Sequence, residues 1–202
     1  MKLYFSPGAC SLAPHIVLRE AGLDFDLDLV DLNSHRTQVG NDFYAINPKG
    51  QVPTLVLDDG TRLTEGPIIA QFIADMASAI NLQPTAGSIA RYRVAEWQNY
   101  ITSELHKSFT PLFNTQLDAA AKATLRALLR KKYEWLDTQL AHKDYLTGSD
   151  FTIADAYLFT VTGWAGFVNL SLSDLPHVQT YLERIKKRPA VKAALQAEGL
   201  LS

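Results

Sequence analysis

Three groups of residues have the types and spacing to do chemistry. The first is Asn47-Pro-Lys-Gly-Gln-Val-Pro-Thr-Leu55, continued by Glu65-Gly-Pro67. Val52-Pro53 directly precedes an apolar run, Leu55-Val-Leu57, that reads as a strand. Proline cannot donate to a sheet ladder, so it belongs at the first residue of a strand or on an edge. There the Val52 backbone is expected to hydrogen-bond an extended peptide. Val52–Pro53 is then either an ordinary edge proline or a cis bond that turns the carbonyl outward. Asp58-Asp-Gly60 signals a hairpin turn. Glu65-Gly66-Pro67 opens a helix, with Gly66 as N-cap and Pro67 at the first helical position. Backbone N–H groups at such a start attract a carboxylate, and Glu65 attracts an ammonium. An anion site beside a cation site, one hairpin from a peptide-pairing edge, suits the amino-acid end of a small peptide.

The second group is Cys10, the one cysteine, which follows Ser6-Pro-Gly8 at a strand-to-helix turn. A helix N-terminus favours thiolate, although a lone cysteine is equally at home as a buried structural thiol. The third is Asn99, Ser103 and His106, spaced i, i+4, i+7 with Glu104 and Lys107 beside them. On a 3.6-residue turn they fall within about 60° of one another. That line is either solvated surface or, facing the Cys10 domain, the second wall of a cleft.

The elements that must carry these groups divide the chain in two. Lys2-Leu-Tyr-Phe5 reads as a strand, Leu12 to about Gly22 as a helix, and Asp24–Asp31 as an alternating strand. Asn33–Asp42 is polar loop and Phe43–Ile46 a short helix. The hairpin and a helix carrying Ile68, Ile69, Phe72, Ile73 and Met76 follow. The order β-α-β-α-β-β-α over residues 1–77 implies a parallel pair joined by a crossover helix, then an antiparallel hairpin. Residues 78–87 lose periodicity and read as a linker. Residues 88–202 read as all-helical: one long helix from Ser88 to Pro111, an amphipathic helix from Asp118 to His142, and two shorter ones over Leu175–Arg188 and Pro189–Leu195. Between them Thr152 and Asp155 form a capping box, and Asp155 is a fold determinant.

A net charge of −2 gives no electrostatic case for nucleic acid or an anionic membrane. Ala156–Ser173 carries no charged residue, yet Thr160, Thr162, Gly163, Gly166, Asn169 and Ser171 make it a buried core helix and not a span. One cysteine permits no disulfide framework, and the default location is cytoplasmic. The histidines lack metal-ligand spacing, so no metal is expected.

Taken together, Tyr4–Arg19, Asn47–Leu55, Leu63–Gly66, Asn99–Lys107 and Phe151–Phe159 make the chain resemble the glutathione S-transferases, specifically the bacterial beta class, over essentially its whole length. The resemblance implies a thioredoxin-like N-terminal domain over 1–77 and an all-helical C-terminal domain over 88–202 with the electrophile site and dimer contacts. It also implies a homodimer with glutathione as cosubstrate and no tightly bound cofactor. Val52, before a cis Pro53, would pair with the cysteinyl backbone of glutathione. Glu65 and Gly66 would take its γ-glutamyl end, and Cys10 would face its sulfur. Asn99, Ser103 and His106 would complete the pocket, with Glu104 and Lys107 matched too; some of that helix lines the neighbouring subunit's site in such dimers. Cys10 and His106 are the catalytic candidates. His35 stands where the pattern usually has a lysine on the glycyl carboxylate, a weaker contact unless Arg36 replaces it. Tyr4, Ser6 and Ser11 also lie near enough in sequence to activate a thiol. The activity implied is conjugation of glutathione to a small hydrophobic electrophile, for which Tyr157, Trp164 and Phe167 would line a pocket. Two rivals are a glutathione-dependent thiol–disulfide or peroxide reductase using Cys10, and a non-catalytic binding module of the same architecture.

Overall fold

The structure, a computed structural model, describes residues 1–77 and 81–201. The expected linker 78–87 thus falls partly outside the described residues. The chain forms two compact units, one of Met1–Gln83 with the segment from Arg188 on, the other of Pro84–Lys187.

The first unit is built on a five-stranded mixed sheet of order β3-β2-β1-β4-β5. Strands β1 (Lys2–Phe5) and β2 (Asp26–Asp31) are parallel, joined through helix α1 (Leu12–Glu20). Strands β4 (Thr54–Val56) and β5 (Arg62–Thr64) form the antiparallel hairpin, closed at Gly60 with φ +86°. A two-residue strand β3 (Arg36–Thr37) pairs with β2 inside the stretch expected to be loop, and the short helix is a single 3₁₀ turn, Phe43–Ala45. Strand β4 lies between β1 and β5, so the margin expected at Val52 is not a sheet edge. Its ladders stop at Thr54, paired with Tyr4 and Thr64, and Val52 and Pro53 lie just before it.

Helix α2 (Gly66–Met76) is capped by Glu65, not Gly66, with Gly66 and Pro67 as its first two residues. Glu65 takes φ +68°, and its carbonyl accepts from both Ile68 N and Ile69 N at 3.0 Å. The cap shifts by one residue because that carbonyl, not the glycine, already closes the first helical turn. Gln83 donates to Gln71 O at 2.9 Å and Asp75 Oδ1 at 2.8 Å, so this part of the expected linker is fastened along α2.

Helix α8 (Pro189–Ala197) packs against α1 and belongs to this unit, although it was read with the helical domain. Val191 and Ala194 are fully buried there, and Arg188 holds Glu20 through two hydrogen bonds of 2.6 and 2.9 Å. Glu198, at the end of α8, is buried and accepts from Gly8 N at 2.9 Å. Its other oxygen lies 2.8 Å from Nδ1 of buried His15.

The second unit is helical in its described part. The long helix read over Ser88–Pro111 is interrupted: α3 (Ile89–Tyr100) passes into a π turn (Ile101–His106), a short α4 (Lys107–Phe109) and a 3₁₀ turn (Thr110–Phe113). Its apolar side, Val94, Ile101, Leu105 and Phe109, is buried against α5 (Ala119–Leu140) and α6 (Ile153–Thr162). Each such fully buried side chain contributes about 1.5–3 kcal/mol. Helix α7 (Pro176–Lys186) packs on α5 and α6.

The uncharged run from Ala156 is not one helix, since α6 ends at Thr162 and a 3₁₀ turn, Gly166–Val168, follows. Among the described residues no helix is long and apolar enough to cross a membrane. The capping box at α6 is present, and the Asp155 carboxylate accepts from Leu146 N, Thr152 N, Thr152 Oγ1 and Tyr181 OH at 2.8–2.9 Å.

Candidate functional site

In the first unit the loop before β4 is braced from within. Asn47 is buried, donates to Gln51 O at 2.8 Å and Thr54 Oγ1 at 3.1 Å, and accepts from Lys49 N at 3.1 Å. Gly50 is required at φ +62°, because a Cβ there would meet the Tyr44 ring at 2.6 Å. This brace delivers Val52 and a cis Pro53 to the end of the ladder. Val52 packs with Tyr4, Val30 and Phe43, which fixes its backbone while its carbonyl stays available to a neighbour.

That neighbour is Cys10. Its half-buried thiol donates to Val52 O at 3.2 Å. Cys10 sits in the turn before α1, and its own carbonyl accepts from Ala13 N. Ser11, fully buried, donates its hydroxyl proton to Ser6 O at 3.2 Å and accepts from Ser6 N at 3.1 Å. It is therefore a clasp for the cysteine loop. Tyr4 stands in the core, its ring 5.7 Å from that of Phe43.

Gly66 adjoins Pro53, since a Cβ on it would lie 3.6 Å from the proline ring. Cys10, Val52, Pro53 and Gly66 are thus consecutive neighbours, with Glu65 next in the chain. The exposed Glu65 carboxylate is paired with the Lys49 ammonium, which also donates to Thr64 Oγ1 at 2.8 Å. The Glu65 carboxylate, read from the sequence as a partner for an ammonium, holds the Lys49 ammonium of its own chain here. His35 also belongs to this unit, at φ +52°, stacked on Tyr44 with ring centroids 4.5 Å apart. Its Nδ1 is buried without a hydrogen-bond partner among the described residues. Arg36 donates to Gly40 O at 2.8 Å within its own loop.

Asn99, Ser103, Glu104, His106 and Lys107 belong to the second unit. They do not form one polar line, because the π turn breaks the 3.6-residue register. Asn99 and Ser103 are exposed, and Ser103 donates to Asn99 O at 3.0 Å. Glu104 is paired with Lys132 of α5 at 2.9 Å, and Lys107 is exposed. His106 turns partly inward. Its Nδ1 lies 2.7 Å from Tyr157 OH, and its ring stands edge-on to Trp164 with centroids 4.8 Å apart. Trp164 meets Phe109 and Phe113 as well. Tyr157 and Trp164 therefore flank the imidazole with aromatic rings, whereas Phe167 is 80% exposed. Phe109 and Phe113 carry no signal in the sequence beyond their apolar character.

Family profiles described as the glutathione S-transferase N-terminal and C-terminal domains match residues 8–76 and 118–184. The chain is 52% identical to glutathione S-transferase GstA of Escherichia coli O157:H7, over 99% of this chain and 100% of that one. The chain belongs to the glutathione S-transferase family. Two solved structures superpose on it at a TM-score of 0.96 and full coverage of both chains. One is a sphingomonad glutathione S-transferase complexed with glutathione, 45% identical. The other is a bacterial beta class glutathione S-transferase of Sphingomonas chungbukensis, 44% identical. The thioredoxin-like unit and helical unit of this glutathione S-transferase fold are those expected from its sequence.

Proposed function

We propose that the protein is a glutathione transferase that binds glutathione along the Val52–Glu65 corner, holds its sulfur as thiolate near Cys10, and conjugates it to small apolar electrophiles. The observation that carries this reading is the hydrogen bond from the Cys10 thiol to the Val52 carbonyl. The one cysteine of the chain meets the one backbone position expected to pair with a peptide. A carbonyl has two lone pairs, so Val52 O accepts a cysteinyl N–H while keeping Cys10 close to the cosubstrate sulfur. The γ-glutamyl ammonium exchanges with Lys49 on Glu65, and its carboxylate takes the Gly66 N–H. His35 is assigned to the glycyl carboxylate.

The task is to keep a thiol ionised at neutral pH. A free thiol has a pKa of about 8.5, and lowering it by about 2 units takes roughly 2.7 kcal/mol. The start of α1 supplies about 0.5–2 kcal/mol, and hydrogen bonds from Cys10 and His106 the remainder. The thiolate attacks an electrophilic carbon, a carbon–sulfur bond forms, and the leaving group departs with its electron pair. Asn99, Ser103, Glu104 and Lys107 are assigned to the same cosubstrate, and the working form is a homodimer.

Retention on immobilised glutathione, with turnover of an aryl halide, tests the reading. Cys10→Ala is expected to stay bound and keep part of its activity. Complete loss of turnover in that variant would move the assignment to a Cys10-dependent reductase, and failure to bind or conjugate would leave only a binding module. His106→Ala is expected to lower conjugation by raising the apparent pKa of the bound thiol. A pH–rate profile superimposable on that of the unaltered protein would remove His106 from the site.

A further inference from the structure

The helical unit has a cavity of about 240 Å³ lined by none of the residues assigned to glutathione. One wall is a face of α7, which brings His177, Thr180 and Arg184 at i, i+3 and i+7. The other wall is the turn after α5, with His142, Lys143 and Asp144. The two walls are tied together. Arg184 donates through Nη1 to the backbone carbonyl of Asp144 at 2.8 Å, and its Nη2 lies 2.9 Å from Asp144 Oδ1. Asp137 of α5 accepts from Val178 N at 2.9 Å, which fixes the start of α7. The cavity therefore lies between elements that already hold each other.

Charge decides what fits there. Asp144 is the one acidic group of the lining, and Arg184 matches it. Lys143 adds a positive charge beyond that pair. The guanidinium keeps further N–H donors after serving Asp144, and an imidazole carries an N–H whether neutral or charged. Thr180 adds no donor, because its hydroxyl bonds Pro176 O at 2.9 Å. The start of α7 adds little attraction either, since the Asp137 carboxylate already faces it. A cation would meet this positive excess. Among the described residues no three of His, Cys, Asp and Glu are placed to hold a metal ion, so the imidazole pair is not part of a metal site. A long polyanion would meet a chain whose net charge is −2. A compact anion meets only the local positive spot.

We propose that this α5–α7 cavity binds a small oxyanion of the phosphate class, with Lys143 and Arg184 supplying charge and His142 and His177 supplying N–H donors. A phosphate group offers several acceptor oxygens, so the donors of both walls can be used together. The proposal is independent of the glutathione reading, because no lining residue takes part in that site.

Inorganic phosphate titrated at constant pH and ionic strength tests it, read through the ring proton signals of the five histidines, each assigned by its His→Gln variant. His142 and His177 are expected to shift together and saturably, with a Kd on the order of 1 mM, while buried His15 stays unmoved. Lys143→Gln, an exposed change, is expected to weaken binding about fivefold, the worth of one exposed ion pair, and to leave glutathione conjugation as it was. Methyl phosphate separates the two sources of such a group. Equal affinity supports the phosphoryl group of a larger metabolite, and a lost response supports the free ion. Shifts that chloride reproduces at the same ionic strength, shifts spread over all five histidines, or unaltered affinity in Lys143→Gln would each overturn the proposal.

Discussion

At the scale of single residues, His35 carries the clearest consequence. Its φ of +52° is uncommon for a residue with a Cβ, and the ring is held between Tyr44 and the Gly50 turn. A residue held in a sparsely populated conformation with a partnerless buried nitrogen invites a functional assignment. A lysine there would bring a full positive charge on a longer stem to the glycyl carboxylate. His35→Lys is expected to lower the KM for glutathione about two- to fivefold, the worth of one exposed ion pair, with kcat unchanged. A raised or unaltered KM in a folded variant would take the glycyl carboxylate away from this position.

Residue types revealed which groups were able to react, but not where they point. Tyr4, Ser6 and Ser11 were all within reach of the thiol in sequence, and it is packing and hydrogen bonding that distinguish Ser11 and Tyr4. The Ser11 hydroxyl bonds the Ser6 backbone, and the Tyr4 ring packs in the core.

At the scale of elements, period and turn chemistry were legible where one rule acted alone. The hairpin at Asp58-Asp-Gly60, the parallel pair across α1 and the Thr152–Asp155 box follow from local signals, and the structure contains all three. The π turn was not legible, because its residues, Ile101-Thr-Ser-Glu-Leu-His106, fit an α-helix equally well. A π turn bonds i to i+5 and so rotates everything after it relative to an α-helical reading. That rotation takes His106 off the Asn99–Ser103 face and brings it to Tyr157. Likewise β3 has only two residues, too few to leave a pattern.

The cap of α6 is the element on which most depends. Burial pushes the Asp155 carboxyl up while its four hydrogen bonds pull it down. Asp155→Ala would leave two backbone N–H groups and two hydroxyls without their acceptor in the interior. A loss of about 3–5 kcal/mol is expected, read as a lowered urea midpoint. A loss below about 1 kcal/mol would mean that the loop before α6 holds itself.

At the scale of the whole molecule, composition argued only against nucleic-acid and anionic-membrane partners, since a net charge of −2 supplies no basic field. The surface of α3 says more. Ile89 and Tyr92 are 74% and 63% exposed on its first turns, beside the Arg93–Glu96 ion pair. Large apolar side chains at adjoining turns are costly to leave in water, and this face suits the homodimer proposed above. Sedimentation is expected to give the mass of two chains, and Tyr92→Glu that of one. A single-chain mass for the unaltered protein at micromolar concentration would rule the dimer out.

The return of α8 to α1 also orders the protein's biosynthesis. The ribosome must translate all of Pro84–Lys187 before it makes the helix whose Glu198 grips Gly8 and whose Arg188 grips Glu20. The nascent first unit therefore waits, with one side of α1 unsheltered, while the intervening helical unit is free to fold ahead of it.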